Sequence, residues 1–531
     1  MFKWIKKIFF PLRIQKKQST PDELIPEGGT KKILNQDIQH IRTEMKKVLG
    51  RSADYKEGEW QIGEKKGFFL YLDSMTDSKE IKDVITKTLS DSSAKQFQVR
   101  DKEDLKNFCR EFFTASTYQM VSYEHELVWQ ILNGSIVLVL EGIEEAIAID
   151  LKTSESRSIA EPTTQTVVRG PKDGFVESIM VNVSLIRRRI KNPHLKFESF
   201  HIGKDTRTTV YVAYIDNIVN LGIRDEVIKR IKDIKASAIF ESGNIEEYIA
   251  DKSFTPFPLA YNTERPDLVA WHLLEGKVAI ILDGSPFVLT VPVTIVDFFE
   301  SSEDYYESFM IGSFVRLIRY LSFLVALIMP SFYLAVTSYH HELIPTKLLL
   351  GIIAQREGVP FPAVVEVILM EITLEILREA GVRMPRAVGQ TVSIVGALVI
   401  GQSAVEAGIV SSIMVIIVAV TAIANFVSPV YSFASASRVL RFIMILLSAS
   451  FGLYGVLIGL IALVAHLSSL RSFGVPYLAP VAPFVWEDQN DVFIRFPIWG
   501  MKKRPRYLDT QAPIKQSDAK SPTPPPEGDP S

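Results

Sequence analysis

Up to about residue 310 the chain interleaves short apolar runs with polar stretches, whereas from about 314 to 466 apolar residues dominate. The first pattern predicts a water-facing region and the second a membrane domain, because a spanning helix needs about 20 mostly apolar residues. Residues 320–336, preceded by Phe314, Val315 and Leu317, meet that length despite Pro330. Residues 391–429 are too long for one span and suit two, joined or kinked near 408–412, and residues 442–464 form the clearest run.

One apolar stretch, FPAVVEVILMEITLEILREAG (residues 361–381), is interrupted by Glu366, Glu371 and Glu375. Its ten large apolar residues contribute roughly −3 to −6 kcal/mol toward insertion, while three carboxylates at mid-bilayer cost roughly +8 to +10 kcal/mol. The segment therefore cannot face lipid all round. At 100° per residue Glu371, Glu375 and Glu379 share a stripe, with Glu366 well off it, so the carboxylates can meet water or arginines such as Arg378 and Arg383. Either an interfacial helix or the wall of an aqueous passage satisfies this pattern, and Glu366, Glu371 and Glu375 are expected to form an acidic mouth or coupling helix.

A further carboxylate, Glu406, lies in GALVIGQSAVEAG among Gly401, Ala404, Ala407 and Gly408. Small residues let helices approach closely, and Gln402 one turn before Glu406 puts both polar groups on one face. Gly401, Gln402 and Glu406 are the candidate pore lining, since a ring of identical subunits with one carboxylate each attracts cations.

The water-facing half contains a repeat. WQILNGSIVLVLEGIEEAIAI (129–149) aligns without gaps on WHLLEGKVAIILDGSPFVLTV (271–291), matching Trp129 with Trp271, Gly134 with Gly276 and Gly142 with Gly284. Upstream, residues 71–73 and 84–85 keep the same offset within one position of 214–216 and 227–228. Each unit predicts a strand (68–72; 208–215), a helix, a second helix ending at the aligned glycine, and a hairpin turning at Glu141-Gly142 or Asp283-Gly284.

The predicted fold is an α/β cytoplasmic region of two tandem duplicated subdomains plus a polytopic α-helical membrane domain. Along the chain it divides into a basic extension (1–59), a first α/β subdomain (60–155), a connecting loop and helix (156–194) and a second subdomain (195–298). A membrane domain of four or five hydrophobic segments (310–470), a cytoplasmic segment (471–506) and a disordered Pro-rich tail (507–531) follow. Arg316 and Arg319 precede the first span, Arg438 and Arg441 the last, and Lys502, Lys503, Arg504 and Arg506 come after it, while 338–345 carries no Lys or Arg. That bias predicts a cytoplasmic N-terminal half and tail and four crossings, with 361–377 not crossing as an ordinary helix.

Net charge of −2 gives no reason to expect nucleic acid, and the single Cys109 excludes an intrachain disulfide and any multi-cysteine metal site. The N-terminal MFKWIKKIFFPLRIQKKQ is too broken by lysines, Pro11 and Arg13 for a signal peptide; it either rests on an anionic membrane surface or is a frayed basic tail. No phosphate loop, dinucleotide fingerprint, HExxH or GxSxG is present, so no enzyme, cofactor or metal is predicted. His340-His341 reads as interfacial. In the connecting segment Arg169 and the triplet Arg187, Arg188 and Arg189 are candidates to hold an anion or a neighbouring subunit's carboxylates.

The blocks EPTTQTVVRGPKDGFVES with RRRI, ERPDLVAWHLLEGKVAIILDGSPFVLTVP, SSEDYYESF, PFPAVVEVILMEITLEILREAG, IVGALVIGQSAVEAGIVS and LRSFGVPYLAP, in this order over about 60–485, resemble the A subunit of bacterial spore germinant receptors, the GerA family. The related sporulation-operon paralogue shares these motifs. The resemblance implies a multi-pass protein of the endospore inner membrane that assembles with a transporter-like B subunit and a lipoprotein C subunit. It further implies a homo-oligomer, gated by nutrients, that releases monovalent cations. A non-conducting scaffold for germination proteins and a secondary transporter are the alternatives; the latter predicts inverted repeats among the spans, and the repeat lies in the water-facing half.

Overall fold

The computed structural model describes residues 32–81, 97–113, 117–152, 161–384, 399, 401–516 and 521. The N-terminal basic stretch, the predicted tail beyond 521 and most of the predicted helices after residue 81 and over 385–400 lie outside the described residues.

Two antiparallel five-stranded sheets occupy the first half. The first contains β1 (Tyr55–Ile62), β2 (Lys65–Leu72), β3 (Tyr118–Val121), β4 (Ser135–Leu140) and β5 (Ala146–Asp150), in the order β1-β2-β4-β5-β3. The second contains β6 (Leu195–Ile202), β7 (Thr208–Ile215), β8 (Tyr261–Thr263), β9 (Val278–Leu282) and β10 (Val288–Val291), in the corresponding order β6-β7-β9-β10-β8. The unbroken apolar runs at β4 and β9 arise because helices cover both faces of each sheet. On β4, Ile136, Leu138 and Leu140 face Leu105 and Phe108, while Val137 and Val139 face Ile41, Met45, Leu127 and Ile131. On β9, Val278, Ile280 and Leu282 meet Val227, Ile231 and Ile245, and Ala279 and Ile281 meet Val183, Ile186, Val269 and Leu273. Gly142 (φ 72°) and Gly284 (φ 90°) turn the two aligned hairpins in the left-handed region, as the glycine positions predict. The first unit begins earlier than residue 60, because the helix Ile38–Leu49 already packs under β2 and β4.

The second half is helical. A first long helix (Phe309–Ser338) starts behind the cap of Ser308; a short helix (Thr346–Arg356), the glutamate helix (Ala363–Arg383), a fifteen-residue helix (Ser412–Phe426) and a long apolar element (Tyr431–Ser469) follow. Two of these, Phe309–Ser338 and Tyr431–Ser469, are long and apolar enough to cross a membrane. They leave Met310, Phe314, Leu321, Leu446, Leu457 and Ile461 exposed, an outer surface suited to lipid rather than water.

The expected single span over 442–464 is not one straight helix. At Gly452 the backbone leaves the helical region (φ 60°, ψ −139°), and the chain folds back on itself. Gly455 packs on the carbonyl of Leu447 and Gly459 on the side chain of Met444. A straight helix would hold those partners, eight and fifteen positions apart, about 12 and 22 Å from each other. The two arms, 431–451 and 453–469, are therefore an antiparallel hairpin. Each arm approaches the length needed for the hydrocarbon core. Its tip lies against Tyr339 and His340 at the end of the first long helix. Its open end packs on the second sheet's subdomain, where Phe433 stacks on Phe298 at 5.1 Å and Leu467 joins the same cluster.

After the hairpin the chain returns to the second subdomain. Phe473 and Val475 enter its core, Ser472 Oγ donates to Leu259 O at 2.8 Å, and Gln511 Nε2 donates to Asp216 O at 2.8 Å and Val219 O at 2.7 Å. Residues 507–516, expected to belong to the tail, are thus packed; carbonyl acceptors on a distant loop give no signal in a polar, proline-rich sequence.

Candidate functional site

Three carboxylates of the glutamate helix meet partners on other elements, while Glu379 is exposed and pairs with Arg383 of the same helix. Glu366 has zero exposure, accepts from the backbone N–H of Ser411 at 2.5 Å and from its hydroxyl, and lies 3.8 Å from Arg356 Nε. It thereby sits at the positive N-terminal end of Ser412–Phe426, where an anion is favoured. Glu371, also at zero exposure, accepts from Arg441 of the hairpin at 2.7 Å, and Arg441 Nε donates to Ala326 O of the first long helix at 2.7 Å. Glu375 takes Arg378 at 2.9 Å and Arg438 at 3.1 Å, with 27% of its side chain exposed. The insertion penalty is offset by partners inside the chain. Within one subunit Glu366 and Glu371 are closed off from water. Val367, Met370 and the flanking apolar residues fill the space among Leu334, Met414, Val418 and Ile445.

Glu406 differs. Residues 401–406 are helical, and Gln402 Nε2 donates to Glu406 Oε1 at 2.9 Å with both side chains exposed. No Lys, Arg or His pairs with Glu406 among the described residues. Gly401 is buried, and a Cβ placed on it would lie in ordinary contact with Val415, while Gly408 (φ 66°) passes close to the Gly358 carbonyl. The predicted pore residues therefore do share a segment, with the two polar ones on its outer surface.

The arginines of the connecting segment are mostly internal. Arg187, 1% exposed, grips Asp54 with Nε and Nη2 at 3.0 Å each, donates to Ser52 Oγ at 2.8 Å and lies over the Phe197 ring at 4.9 Å. Burial alone would raise the Asp54 carboxyl, but Arg187 and the Ser52 and Ser74 hydroxyls outweigh it and hold it below its ordinary value. Arg189 pairs with Asp173 and donates to Leu185 O at 2.9 Å. Arg187 thus ties the connecting helix to the first unit inside one chain, and Arg189 is held within the connecting segment itself. Arg188 is half-buried and bonded, and Arg169 is exposed beside Glu307 at 3.6 Å.

A buried ionic joint at the base of the first long helix was not foreseen, since Arg316 and Arg319 were read only as orientation charges. Asp304 accepts from Arg319 Nη1 at 2.7 and 2.8 Å and from Arg316 Nε at 3.3 Å; Arg316 Nη1 also donates to Asp491 at 2.8 Å. Arg495 Nη1 donates to Asp304 O at 2.7 Å, and Lys277 meets Asp297 at 2.7 Å, both buried. Burial, opposed by Arg316 and reinforced by Asp491 and Asp297, pushes Glu300 well up; burial likewise pushes Asp491 up. A cavity of about 1170 Å³ opens beside this joint, lined by Glu275, Asp297, Glu300, Trp486, Asp491 and Trp499 among others. The block SSEDYYESF, which supplies Asp304 and Tyr305, was the available signal. No group of three metal-ligating side chains exists among the described residues.

The model of the Bacillus/Clostridium GerA spore germination protein family matches residues 43–507. Spore germination protein KA of Bacillus subtilis (strain 168) is 44% identical over 484 residues, 91% of this chain and 88% of that protein. Spore germination protein GerLA of Bacillus cereus is 45% identical over 386 residues, 73% of this chain and 78% of its own length. Among solved structures, the N-terminal domain of the A subunit of the Bacillus megaterium spore germinant receptor GerK3 is 32% identical, covers 50% of this chain and 97% of that domain, with a TM-score of 0.40. With a family match running across both sheets, the glutamate helix and the hairpin, this chain belongs to the Bacillus/Clostridium GerA spore germination protein family.

Proposed function

We propose that the chain is the A subunit of a nutrient-responsive receptor in the endospore inner membrane, and that copies of it assemble into a gated, cation-conducting ring. The segment bearing Gly401, Gln402 and Glu406 faces the pore in this reading, with monovalent cations as the conducted species. A transporter-like B subunit and a lipoprotein C subunit are the partners, and the two-sheet region faces the cytoplasm, as the basic entry to the first long helix favours. Relatives named as spore germination proteins support the germination role.

One contrast carries the channel reading. In the helical half Glu366, Glu371 and Glu375 are bonded to a helix N-terminus or to arginines, whereas Glu406 is exposed with Gln402 as its hydrogen-bond partner. A carboxylate left outward on a small-residue segment suits a ring that concentrates cations. The glutamate helix then serves as a coupling element behind the pore rather than as its mouth. Cation-over-anion selectivity measured in vesicles reconstituted with the whole receptor is expected to fall in Glu406→Gln. Selectivity unchanged in a conducting variant refutes the pore assignment, and a folded receptor that never conducts leaves the scaffold alternative.

A further inference from the structure

The first long helix contains 30 residues, about 45 Å at 1.5 Å per residue, whereas the hydrocarbon core takes about 20 residues. Its far end is located by the hairpin tip, where Tyr339 donates its hydroxyl to Ala449 O. Counting about 20 residues back from Ser338 reaches Arg319, so the turns from Phe309 to residue 318 stand at headgroup level.

A stretch of the C-terminal segment is fastened to those same turns. Arg495 N–H donates to Ser313 Oγ at 3.0 Å and Ser313 Oγ donates to Arg495 O at 3.1 Å. Tyr320 OH donates to Val492 O at 3.3 Å, and its ring lies 5.1 Å from Phe493. This stretch exposes Phe484 (62%), Trp486 (68%), Phe493 (45%), Ile494 (53%), Ile498 (46%) and Trp499 (42%). Lys502, directly after it, is exposed and has no carboxylate partner among the described residues. Large aromatic and aliphatic side chains together with a free ammonium, held at headgroup depth, match the composition that proteins place at a membrane–water boundary.

We propose that residues 484–502 dock on the bilayer surface, with Trp486 and Trp499 seated among the headgroups and Lys502 reaching lipid phosphate oxygens. The proposal rests on reading Phe309–Ser338 as a span. It gives the segment a task separate from conduction: fixing the height and tilt of the ionic joint relative to the membrane.

The test uses the full chain in phosphatidylcholine–phosphatidylglycerol vesicles containing lipids brominated near the carbonyl end of their chains, with tryptophan emission as the readout. Bromine should quench a component amounting to roughly a third of the emission, the share of two tryptophans in six, and that component should vanish in W486F/W499F. Phenylalanine keeps the apolar body, so the fold is retained. Identical quenching in the two proteins overturns the proposal, as does quenching of the pair by aqueous iodide but not by brominated lipid. Resistance to alkaline extraction, measured in parallel, shows whether the spans hold independently; release of the protein by alkali overturns the span reading and this docking with it.

Discussion

Replacing Glu371 by Gln removes one charge from a pair in which both side chains are fully buried and 2.7 Å apart. The shape of the side chain is preserved, so no cavity forms. What remains is Arg441, still donating to Ala326 O but with its charge uncompensated among apolar neighbours. A charged hydrogen bond is worth about 1.5–3 kcal/mol. Stranding the partner of a buried pair brings the total cost to about 3–5 kcal/mol. The double variant Glu371→Leu/Arg441→Met replaces both groups by apolar ones and should lie within about 1 kcal/mol of the parent, or above it. Denaturant unfolding of the parent, Glu371→Leu, Arg441→Met and the double variant, in one detergent, yields the coupling directly, expected at about 2 kcal/mol or more. If water reaches Glu371 in the folded chain, the single variant will cost under about 1 kcal/mol, as exposed pairs do, and the double variant will show only the sum of the singles. That result refutes the enclosed-pair account of the glutamate helix.

Three other perturbations read different parts of the fold. In a Cys109→Ser background, Met444→Cys/Gly459→Cys should form a disulfide on mild oxidation, since the hairpin brings these positions together, whereas a straight helix holds them about 22 Å apart and yields none. Arg187→Lys loses the two-pronged grip on Asp54 and should destabilise the chain by about 2–3 kcal/mol, with faster amide exchange at the start of β6. Burial pushes the Glu246 carboxyl, on the helix Ser242–Ile249, up to about 7 against the opposing Ala260 N–H. The folded state then binds more protons than the unfolded one between the ordinary value of 4.5 and about 7, so this group's stabilisation is full below 4.5 and lost as pH rises through 7. Glu246→Gln should therefore raise stability at pH 8 by up to about 3 kcal/mol and change it little at pH 4.5.

Local patterns were legible and distant pairings were not. The strand at Thr208–Ile215 and the hairpin glycines could be read because alternation and positive φ are short-range properties. The 142-residue offset pointed to two units, and the two sheets have the same strand order. The carboxylates of the glutamate helix signalled a need for polar surroundings, but the partner of Glu371 lies 70 positions away, and no spacing rule reaches that far. Arg187 and Asp54 are 133 positions apart for the same reason. The hairpin was missed on other grounds: a hydropathy window sums side chains and is blind to direction, so an uninterrupted apolar run looks alike in a single helix and across a reversal at Gly452. Gly452, Gly455 and Gly459 were the available signal, because two arms can close only where side chains are absent.

The polar links form a mechanical series from the second sheet to Glu406. Tyr306 donates to Asp267, at the start of the helix packed under β7 and β9, with 2.7 Å between oxygens; two positions earlier, Asp304 holds Arg316 and Arg319 of the first long helix. That helix offers Ala326 O to Arg441, Arg441 holds Glu371, and Glu366 on the same glutamate helix holds Ser411, five residues beyond Glu406. Apolar contacts between helices can slide with little change in energy, whereas each of these links strands a buried charge or donor if it slips, at a cost of several kcal/mol. In the gated receptor proposed above, a displacement of the sheet would be passed along the series more cheaply than it would be absorbed at any one joint. Glu366 and Glu371 give the glutamate helix two fixed attachment points, which leucine could not, and the exposed Glu406 stands five residues before the last link of the series.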